Sequence, residues 1–393
     1  MTINTDTQKI KELLARGVDE IIGKDDLENK LQSGKPLRVK LGIDPTSPNI
    51  HLGRSIPLMK LRDFQELGHQ VVFIIGDFTG VIGDTSDKES ERPMLDELTI
   101  KENMQAYADQ AGKIINMDKC EVHYNSEWLA KLGYAEIGMQ ANAFSVHEFI
   151  ERDNIKRRLD AGKRVSLREM LYPLMQGYDS VAVKADVELG GKDQRFNLLA
   201  GRTLQEQAGQ SPQSVMMGPL VEGTDGRKMS SSYGNVINLT DEPNEMFGRI
   251  MRVADELIIK YFILMTRVPA EIIEGYKKEM ASGANPRDYK MKLGFELVRF
   301  YHSDAAAKTA QQHFVDTFAK KQVPTDIPEL TPTAYDIVTV LKEAGFAKSN
   351  SDVRRAIDGG GVKVNDEKIT SHEVEVKAGD VVQKGKRFFV KIV

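Results

Sequence analysis

Residues 37–54 read LRVKLGIDPTSPNIHLGR, which carries the pattern of a strand, a turn and the start of a helix. The β-branched and apolar residues of LRVKLGI (37–43) predict the strand. SIPLMKLRDFQELG (55–68) has the apolar spacing of a helix that ends at Gly68. The prolines and small polar residues between these segments predict a turn. His51 therefore lies in the predicted turn between a strand and a helix, close to the start of the helix.

Other short apolar segments alternate with helical sequence in the same way. HQVVFIIGD (69–77) is apolar at consecutive positions, as expected of a central strand that is covered on both faces. The remaining strand candidates are CEVHYN (120–125), SVAVKADVELGG (180–191) and SVMMGPL (214–220). This alternation predicts an α/β fold with a Rossmann-like parallel sheet and right-handed crossovers. Open sheets of this kind bind ligands at the carboxyl ends of their strands.

The pattern along the 393 residues predicts three domains and a linker. Residues 1–225 form the α/β domain, with a helical leader at its start. Strand patterns are absent from 226–320, which is expected to be a loop followed by an α-helical domain. Residues 321–332 are polar and rich in proline, as is typical of a linker. The pattern of 333–393 predicts two short helices and two hairpins, a small α+β domain.

Composition excludes several classes of protein. The 40% hydrophobic and 28% charged residues are ordinary for a globular chain. No apolar run approaches the roughly 20 residues that span a bilayer, and the first residues lack a hydrophobic signal core. The single cysteine, Cys120, excludes an internal disulfide and a cysteine zinc site. We therefore expect a cytoplasmic protein without a membrane partner, and the net charge of −4 requires any nucleic acid to meet a local basic patch.

Two motifs suggest that the chain binds a nucleotide. His51 and Gly53 open a helix, whose free N–H groups and positive dipole end favour phosphate, although a lone histidine here is often a structural cap. GRKMSSSYGN (226–235) places Lys228 among small hydroxyl residues in a loop that could close over polyphosphate or simply be solvated. Together, HLGR and KMSSS resemble the paired signatures of class I aminoacyl-tRNA synthetases, HIGH and KMSKS.

A third motif, YPLMQGYD (172–179), suggests an amino-acid pocket. Its Tyr172, Gln176 and Asp179 share one face of a helix. Three polar side chains on one face could be the wet side of a surface helix, but their neighbours are too apolar for that, so a pocket is favoured. GGKDQRFN (190–197) follows at a strand end and offers polar groups suited to ribose and amide contacts.

With GDFTGVIGDTS (76–86), these motifs resemble the bacterial tyrosyl-tRNA synthetases over essentially the whole chain. The resemblance implies that tyrosine and ATP form tyrosyl-adenylate and that the tyrosyl group passes to tRNA(Tyr). ATP is then a substrate that brings its own Mg²⁺, with no dedicated metal site in the protein. The resemblance also implies a homodimer, and the last 60 residues resemble the S4 RNA-binding domain.

The resemblance assigns roles residue by residue. Substrate tyrosine would contact Thr79, Asp84, Tyr172, Gln176, Asp179 and Gln194, with Asp179 accepting from the phenol hydroxyl. The polyphosphate would be bound by the catalytic residues Thr46, His51, Lys88, Arg92 and Lys228. Other ATP contacts would be Asp44, Gly53, Arg54, Gly191, Asp193, Met229 and Ser231. RNA would be bound by Lys348, Arg354, Arg355 and Lys363.

Three residues depart from the family pattern. Lys40 stands where many relatives have a tyrosine that touches the phenol hydroxyl, so that contact is open. Arg54 replaces the second histidine of HIGH, and Ser231 replaces the second lysine of KMSKS. Lys228 is then the only cation of its loop motif.

Three other functions are compatible with parts of this pattern. A tryptophanyl-tRNA synthetase shares the architecture, although the 172–179 face and its acidic end favour tyrosine. A small-molecule adenylyltransferase could use the histidine motif, but it would leave the KMSSS loop and the RNA-binding tail without a purpose. An RNA-binding regulator with an inactive synthetase core is a non-enzymatic alternative, against which the intact His51 and Lys228 argue. Pyrophosphate exchange across amino acids distinguishes all of them.

Overall fold

The computed structural model of the chain describes residues 2–86, 94, 97–319, 327–347, 349–365, 367–385 and 388–393. It divides the chain into two compact units, Met1–His313 and Phe314–Val393. Within the described residues, no helix has the length and apolar character needed to cross a membrane.

The first unit is built on a six-stranded sheet. Its strands are β1 (Glu20–Ile22), β2 (Arg38–Ile43), β3 (Gln70–Ile75), β4 (Cys120–Tyr124), β5 (Val187–Gly191) and β6 (Ser214–Gly218). Their order across the sheet is β1-β6-β5-β2-β3-β4. All neighbouring pairs are parallel except β1 and β6, which are antiparallel. The predicted parallel α/β fold is confirmed, with a short edge strand added from the leader that had been predicted to be helical.

Helices pack around this sheet, and the named elements between β6 and Ala319 are all helices. The helices are α1 (Thr7–Ala15), α2 (Lys24–Gln32), α3 (Leu52–Glu66), α4 (Asp77–Ile82), α5 (Glu97–Gly112), α6 (Ser126–Leu129), α7 (Tyr134–Ala141), α8 (Val146–Ile150), α9 (Asp153–Asp160), α10 (Leu167–Val183), α11 (Arg195–Gln207), α12 (Pro243–Ile250), α13 (Ile258–Met265), α14 (Ala270–Ala281), α15 (Pro286–Tyr301) and α16 (Asp304–Ala319). Short 3-10 helices occupy Met117–Lys119, Lys192–Gln194, Ser231–Tyr233 and Asp255–Leu257.

The core of this unit follows from the apolar strands. In β3, Val71 to Ile75 are at most 1% exposed. Because alternate side chains of a strand point to opposite faces, the sheet must be covered on both faces, as the continuous apolar run predicted.

Helix α10 packs closely against helix α11 at Gly177. Its Gly177 lies against the backbone of α11, where an added Cβ would come within 3.0 Å of the Ala200 carbonyl carbon and 3.1 Å of the Gly201 nitrogen. The small residues therefore allow the two helices to approach closely. The prediction of a strand over 180–191 was wrong in its first half, because α10 continues to Val183 and the strand begins only at Val187.

The second unit is a small α+β structure. It contains β7 (Glu329–Leu330), α17 (Ile337–Glu343), α18 (Asn350–Asp358), β8 (Val362–Val364), β9 (Glu367–Lys368), β10 (Val381–Lys384) and β11 (Phe388–Ile392). The sheet order is β7-β11-β10-β8-β9, with both predicted hairpins present and antiparallel. β7 lies inside the segment predicted to be a linker and pairs in parallel with β11. The two helices and the sheet share an apolar core that includes Ile337, Val353 and Val382.

Candidate active site

A cleft of about 280 Å³ opens at the carboxyl ends of the parallel strands. Sixteen of the residues predicted to bind tyrosine or ATP line it, from five separate segments of the chain. They are Asp44, Thr46, His51, Gly53, Arg54, Thr79, Asp84, Tyr172, Gln176, Asp179, Gly191, Asp193, Gln194, Lys228, Met229 and Ser231. Lys88 and Arg92, which were also predicted, lie outside the described residues. The cleft therefore brings residues from all five of these segments together in one place.

His51 begins helix α3 without acting as its cap. It occupies the N-cap position with extended backbone (φ −97°, ψ 163°), but its side chain makes no capping hydrogen bond. The side chain is 6% exposed and lines the cleft. Its Nδ1 has no hydrogen-bonding partner among the residues described. The structural interpretation of His51 as a helix cap is therefore excluded, and the imidazole is available to a ligand.

The KMSSS loop lies against the start of the same helix. The backbone nitrogen of Met229 donates to Val221, and the Met229 sulfur lies 3.2 Å from the Gly53 nitrogen. Within the loop, Asn235 accepts from the Ser230 nitrogen and donates to Asp225. These contacts hold the loop over the cleft. A side chain at position 53 would crowd the His51 ring, at 3.1 Å, and the Met229 sulfur, at 3.4 Å.

Lys228 and His51 consequently face the same space. The Lys228 ammonium lies 2.7 Å from a carboxylate oxygen of Asp193, which follows β5. Lys228 and Arg54 are close enough to His51 to disfavour its protonation. Lys228, predicted to bind polyphosphate, and Asp193, predicted to contact adenosine, thus form a direct ion pair.

The imidazole of His51 is neutral near physiological pH. Burial, followed by the positive charges of Arg54 and Lys228, lowers its pKa from the ordinary 6.5 to about 3. His51 was predicted to bind the polyphosphate, and a neutral imidazole does so by hydrogen bonding. His51 can donate one hydrogen bond to a phosphate oxygen, but the positive charge must come from lysine and arginine.

The depressed pKa of His51 has a measurable consequence. Between about pH 3 and 6.5 the unfolded chain binds more protons at this position, so the free energy of unfolding decreases as pH falls through that window. We expect urea denaturation of the His51→Asn variant to show a weaker pH dependence than the wild type. Burial also lowers the pKa of His69, to about 4. His69 therefore contributes independently to the same pH dependence, and the His69→Asn variant measures its share. An imidazole resonance of His51 that titrates near pH 6.5 in NMR would contradict this assignment.

A second group of polar residues lies deeper in the cleft. Asp44 accepts from Thr79 Oγ1 at 2.8 Å and from the Tyr172 hydroxyl at 2.7 Å. Asn125 donates from Nδ2 to Thr79 Oγ1 at 2.9 Å and approaches Asp179 Oδ2 at 3.3 Å. Asp44, predicted as an ATP contact, is therefore bonded to two residues of the predicted tyrosine set.

Asp179 lies at the buried end of this group and is 3% exposed. Trp128 donates from Nε1 to its Oδ1 at 2.8 Å. Burial raises the pKa of Asp179 to about 7, against the lowering effects of Lys40 and of the donors Trp128 and Asn125. An acidic group at the end of a pocket can accept a hydrogen bond from a hydroxyl or N–H on the distal end of a ligand.

The sequence motifs did not identify Asn125, Trp128 or Glu188 as part of this site. Asn125 follows β4 directly, so the carboxyl-end position of its strand was the signal that could have found it. Trp128 and Glu188 carry no motif of their own. Glu188 is joined to the site through Gln176, whose Nε2 lies 3.1 Å from its Oε1.

Arg54 and Ser231, two of the departures from the family pattern, both line the cleft. Arg54 donates to Thr46 Oγ1 at 3.0 Å and to the Tyr107 hydroxyl at 2.7 Å, which orients Thr46 toward the cleft. Ser231 begins the short helix Ser231–Tyr233 at the cleft wall. Asp84 accepts from the backbone and hydroxyl of Ser86.

The predicted RNA-binding residues lie in the second unit. Arg354 and Arg355 are exposed on α18, and Arg355 pairs with Asp352 at 2.5 Å. Lys363 lies on β8 and is half-buried, while Lys348 is outside the described residues. A groove of about 480 Å³ beside α18 adds Lys384 and Phe388, which sequence had not singled out.

Comparisons with known proteins show the family of this chain. The family model for class I tRNA synthetases (W and Y) matches residues 31–319, and the S4 domain model matches residues 337–382. The tyrosine–tRNA ligase of Shewanella oneidensis is 47% identical, over 98% of this chain and 99% of its own. That of Thermotoga maritima is 45% identical, over 99% and 98%.

Solved structures show the same fold. The tyrosyl-tRNA synthetase of Archaeoglobus fulgidus, complexed with L-tyrosine, aligns with a TM-score of 0.63 at 22% identity, covering 78% of this chain and 99% of that one. Family membership rests on the sequence matches, which span nearly the whole chain and confirm the resemblance drawn from the motifs. The chain belongs to the class I tRNA synthetase family for tryptophan and tyrosine, and within it to the tyrosine–tRNA ligases.

Proposed function

We propose that this chain activates tyrosine with ATP and transfers the tyrosyl group to the 3′ end of tRNA(Tyr). The observation that carries the proposal is one cleft with His51 and Lys228 at its phosphate-binding side and the buried Asp179 at its deep end. ATP–pyrophosphate exchange, run separately with each amino acid, tests it. We expect exchange with tyrosine and much less with phenylalanine or tryptophan, and exchange that requires tryptophan would overturn the proposal.

Tyrosine would lie with its side chain toward Asp179 and its ammonium group toward the mouth of the cleft. Asp179 would accept from the phenol hydroxyl, with its carboxylate oriented by Trp128 and Asn125. The ammonium group would be held by Asp44, Thr79, Asp84, Tyr172 and Gln176, and Gln194 would face the substrate carboxylate. The bonds from Thr79 and Tyr172 to Asp44 are the reason for adding Asp44 to this set. A buried acceptor left unpaired by phenylalanine would cost binding free energy and so select for tyrosine.

In the first step, a carboxylate oxygen of tyrosine forms a bond to the α-phosphorus of ATP. The bond from that phosphorus to the bridging oxygen of pyrophosphate breaks, and pyrophosphate leaves. The nucleophile belongs to the substrate, so the protein contributes alignment and charge stabilisation. Lys228 would neutralise charge that grows on the leaving oxygens, with Lys88 and Arg92 assisting. His51 and Thr46 would donate hydrogen bonds.

Adenosine is proposed to bind in the same cleft. Gly53, Arg54, Gly191, Asp193, Met229 and Ser231 line the part of the cleft proposed for ATP. Among the described residues, no group of three or more His, Cys, Asp or Glu side chains is arranged to hold a metal ion. We propose that Mg²⁺ enters as part of the ATP substrate. In the second step, a ribose hydroxyl of tRNA attacks the tyrosyl carbonyl and releases AMP.

The S4 domain is proposed to bind tRNA through Arg354, Arg355 and Lys363, together with the predicted Lys348. The exposed arginines of α18 supply charge for phosphate contacts, and a tRNA substrate also supports a cytoplasmic location. We expect the Arg354→Ala/Arg355→Ala variant to bind tRNA more weakly and to reduce the slope of log K against log salt by about 1 to 2. Lys391→Ala is the control, because Lys391 lies on β11 of the same domain and pairs with Glu329. An unchanged slope in a titration between low and moderate salt would remove α18 from the RNA contact.

A homodimer is proposed from large apolar side chains left exposed on the first unit. Tyr134 of α7, Val146 of α8 and Leu167 of α10 are 96%, 75% and 83% exposed. Association of two copies of the chain through these side chains would remove their apolar surface from water. Sedimentation should give the mass of a dimer for the wild type and a monomer for Val146→Asp/Leu167→Asp, and a monomeric wild type would refute the assignment.

A further inference from the structure

A buried ion pair lies directly behind the proposed tyrosine pocket. Lys40 of β2 and Glu188 of β5 are register partners on neighbouring strands, and their side chains are 0% and 1% exposed. Their charged atoms are 2.9 Å apart. Neither residue lines the cleft. A pair this deeply buried contributes little net stability compared with apolar residues of similar volume, so stability alone does not account for it.

The hydrogen bonds of Lys40 are all used inside the protein. Its ammonium group has three N–H donors, and three acceptors surround it: the Gln176 carbonyl at 3.0 Å, Ser180 Oγ at 2.8 Å and Glu188 Oε1 at 2.9 Å. No donor remains for a ligand. The contact that a tyrosine makes with the phenol hydroxyl in many relatives is therefore not replaced by Lys40.

Glu188 accepts hydrogen bonds from four groups, one of which belongs to the cleft. Besides Lys40, these donors are Ser180 Oγ, Gln213 Nε2 and Gln176 Nε2, the last at 3.1 Å. An ionised carboxylate can only accept, so the side-chain nitrogen of Gln176 must face Glu188. On the other side, Asn197 Nδ2 donates to Gln176 Oε1 at 3.1 Å. The bond to Glu188 thus determines which way the Gln176 amide points, and the contact with Asn197 fits that orientation.

We propose that the Lys40–Glu188 pair is a positioning device for Gln176. Glu188 holds the amide nitrogen away from the substrate, so that Oε1, which has a second lone pair, accepts from the ammonium group of the bound amino acid. Lys40 supplies the counter-charge to Glu188 and anchors the backbone of α10 at Gln176. The inference rests on the proposed tyrosine function, and it makes Lys40 and Glu188 determinants of recognition of the substrate α-amino group.

The test compares two ligands that differ only in the ammonium group. L-Tyrosine carries it, and 3-(4-hydroxyphenyl)propionate lacks it. The variant Lys40→Met/Glu188→Gln removes both charges together. A glutamine side chain can donate as well as accept, so residue 188 no longer determines the orientation of the Gln176 amide. We expect the affinity for tyrosine to fall about 10-fold to 100-fold, the effect of one hydrogen bond to a charged group, while the affinity for the analogue stays within about twofold. Calorimetric titration gives both affinities, and thermal denaturation checks the fold.

A matched control is available in another buried ion pair. Arg158 and Glu169 are 2% and 0% exposed and 2.5 Å apart, and they do not line the cleft. Arg158→Met/Glu169→Gln should leave the ratio of the two affinities unchanged. The inference is overturned if the Lys40 variant loses both ligands equally, if it loses neither, or if the control shows the same selective loss.

Two further variants, Glu188→Gln and Gln176→Leu, test the same inference. If the double variant does not fold, the single Glu188→Gln variant, which replaces an oxygen by a nitrogen, carries the same expectation. Gln176→Leu should reproduce the selective loss of tyrosine affinity, and adding it to the Lys40 variant should cause little further loss, because both act through one amide. Absence of tyrosine-dependent exchange in the wild type would reject the proposed function itself, whereas wild-type exchange with no selective loss rejects only this inference.

Discussion

Lys228→Ala should lower the rate of tyrosine-dependent pyrophosphate exchange by about 10²-fold to 10³-fold, the usual effect of removing a preorganised charge-stabilising group. Lys228 is the only lysine of the KMSSS motif, and it faces the space shared with His51. With His51 neutral, the growing negative charge on pyrophosphate depends on this ammonium group. Because the proposed tyrosine pocket is a deeper part of the cleft, the dissociation constant of tyrosine should change little.

Lys192→Ala is the matched control for this prediction. Lys192 lies one residue before Asp193, but its ammonium group pairs with Asp19 at 2.8 Å and the residue does not line the cleft. Its removal should leave exchange within about twofold of the wild type, as expected of an exposed ion pair. Equal losses in the two variants, or a Lys228→Ala variant with an unaltered rate, would exclude a role for Lys228 in charge stabilisation.

Asp179→Asn should raise the KM for tyrosine about 10-fold to 100-fold and reduce the preference for tyrosine over phenylalanine. The substitution keeps the volume of the side chain but replaces the ionised acceptor by an amide. Trp128 and Asn125 donate to the two carboxylate oxygens, so one of these donors loses its partner in the variant. Exchange assays with both amino acids measure the effect, and circular dichroism establishes that the variant is folded.

The pH dependence provides a second measurement at Asp179. Burial raises its pKa to about 7, so the carboxylate is ionised above that value and becomes protonated as pH falls through it. We expect the wild-type KM for tyrosine to rise below about pH 7 and the Asp179→Asn variant to lack this rise. Asp186→Asn is the control, since Asp186 lies at the opposite end of β5 and accepts from the Arg38 nitrogen. A variant that retains the wild-type pH profile would show that another group controls tyrosine binding.

The parallel sheet was predictable because its signal is local. The runs around Val39, Val72, Val187 and Val215 are apolar enough to require burial, whichever partners cover them. The helical face of Tyr172, Gln176 and Asp179 was predictable for a similar reason, since spacing alone places them together. The same local reasoning failed at 180–183, where β-branched residues suggested a strand and packing of α10 against α11 produced a helix.

The short edge strand Glu20–Ile22 shows the same limit, because three residues of ordinary composition become a strand only by pairing with β6. The sequence motifs named His51, Lys228 and Asp179, and the folded chain brings all three to one cleft. The neutrality of His51 and the involvement of Asn125, Trp128, Glu188 and Lys40 depend on groups brought together from distant segments. Protonation and hydrogen-bond orientation are properties of such assembled surroundings, because desolvation and partner geometry exist only once the chain has folded.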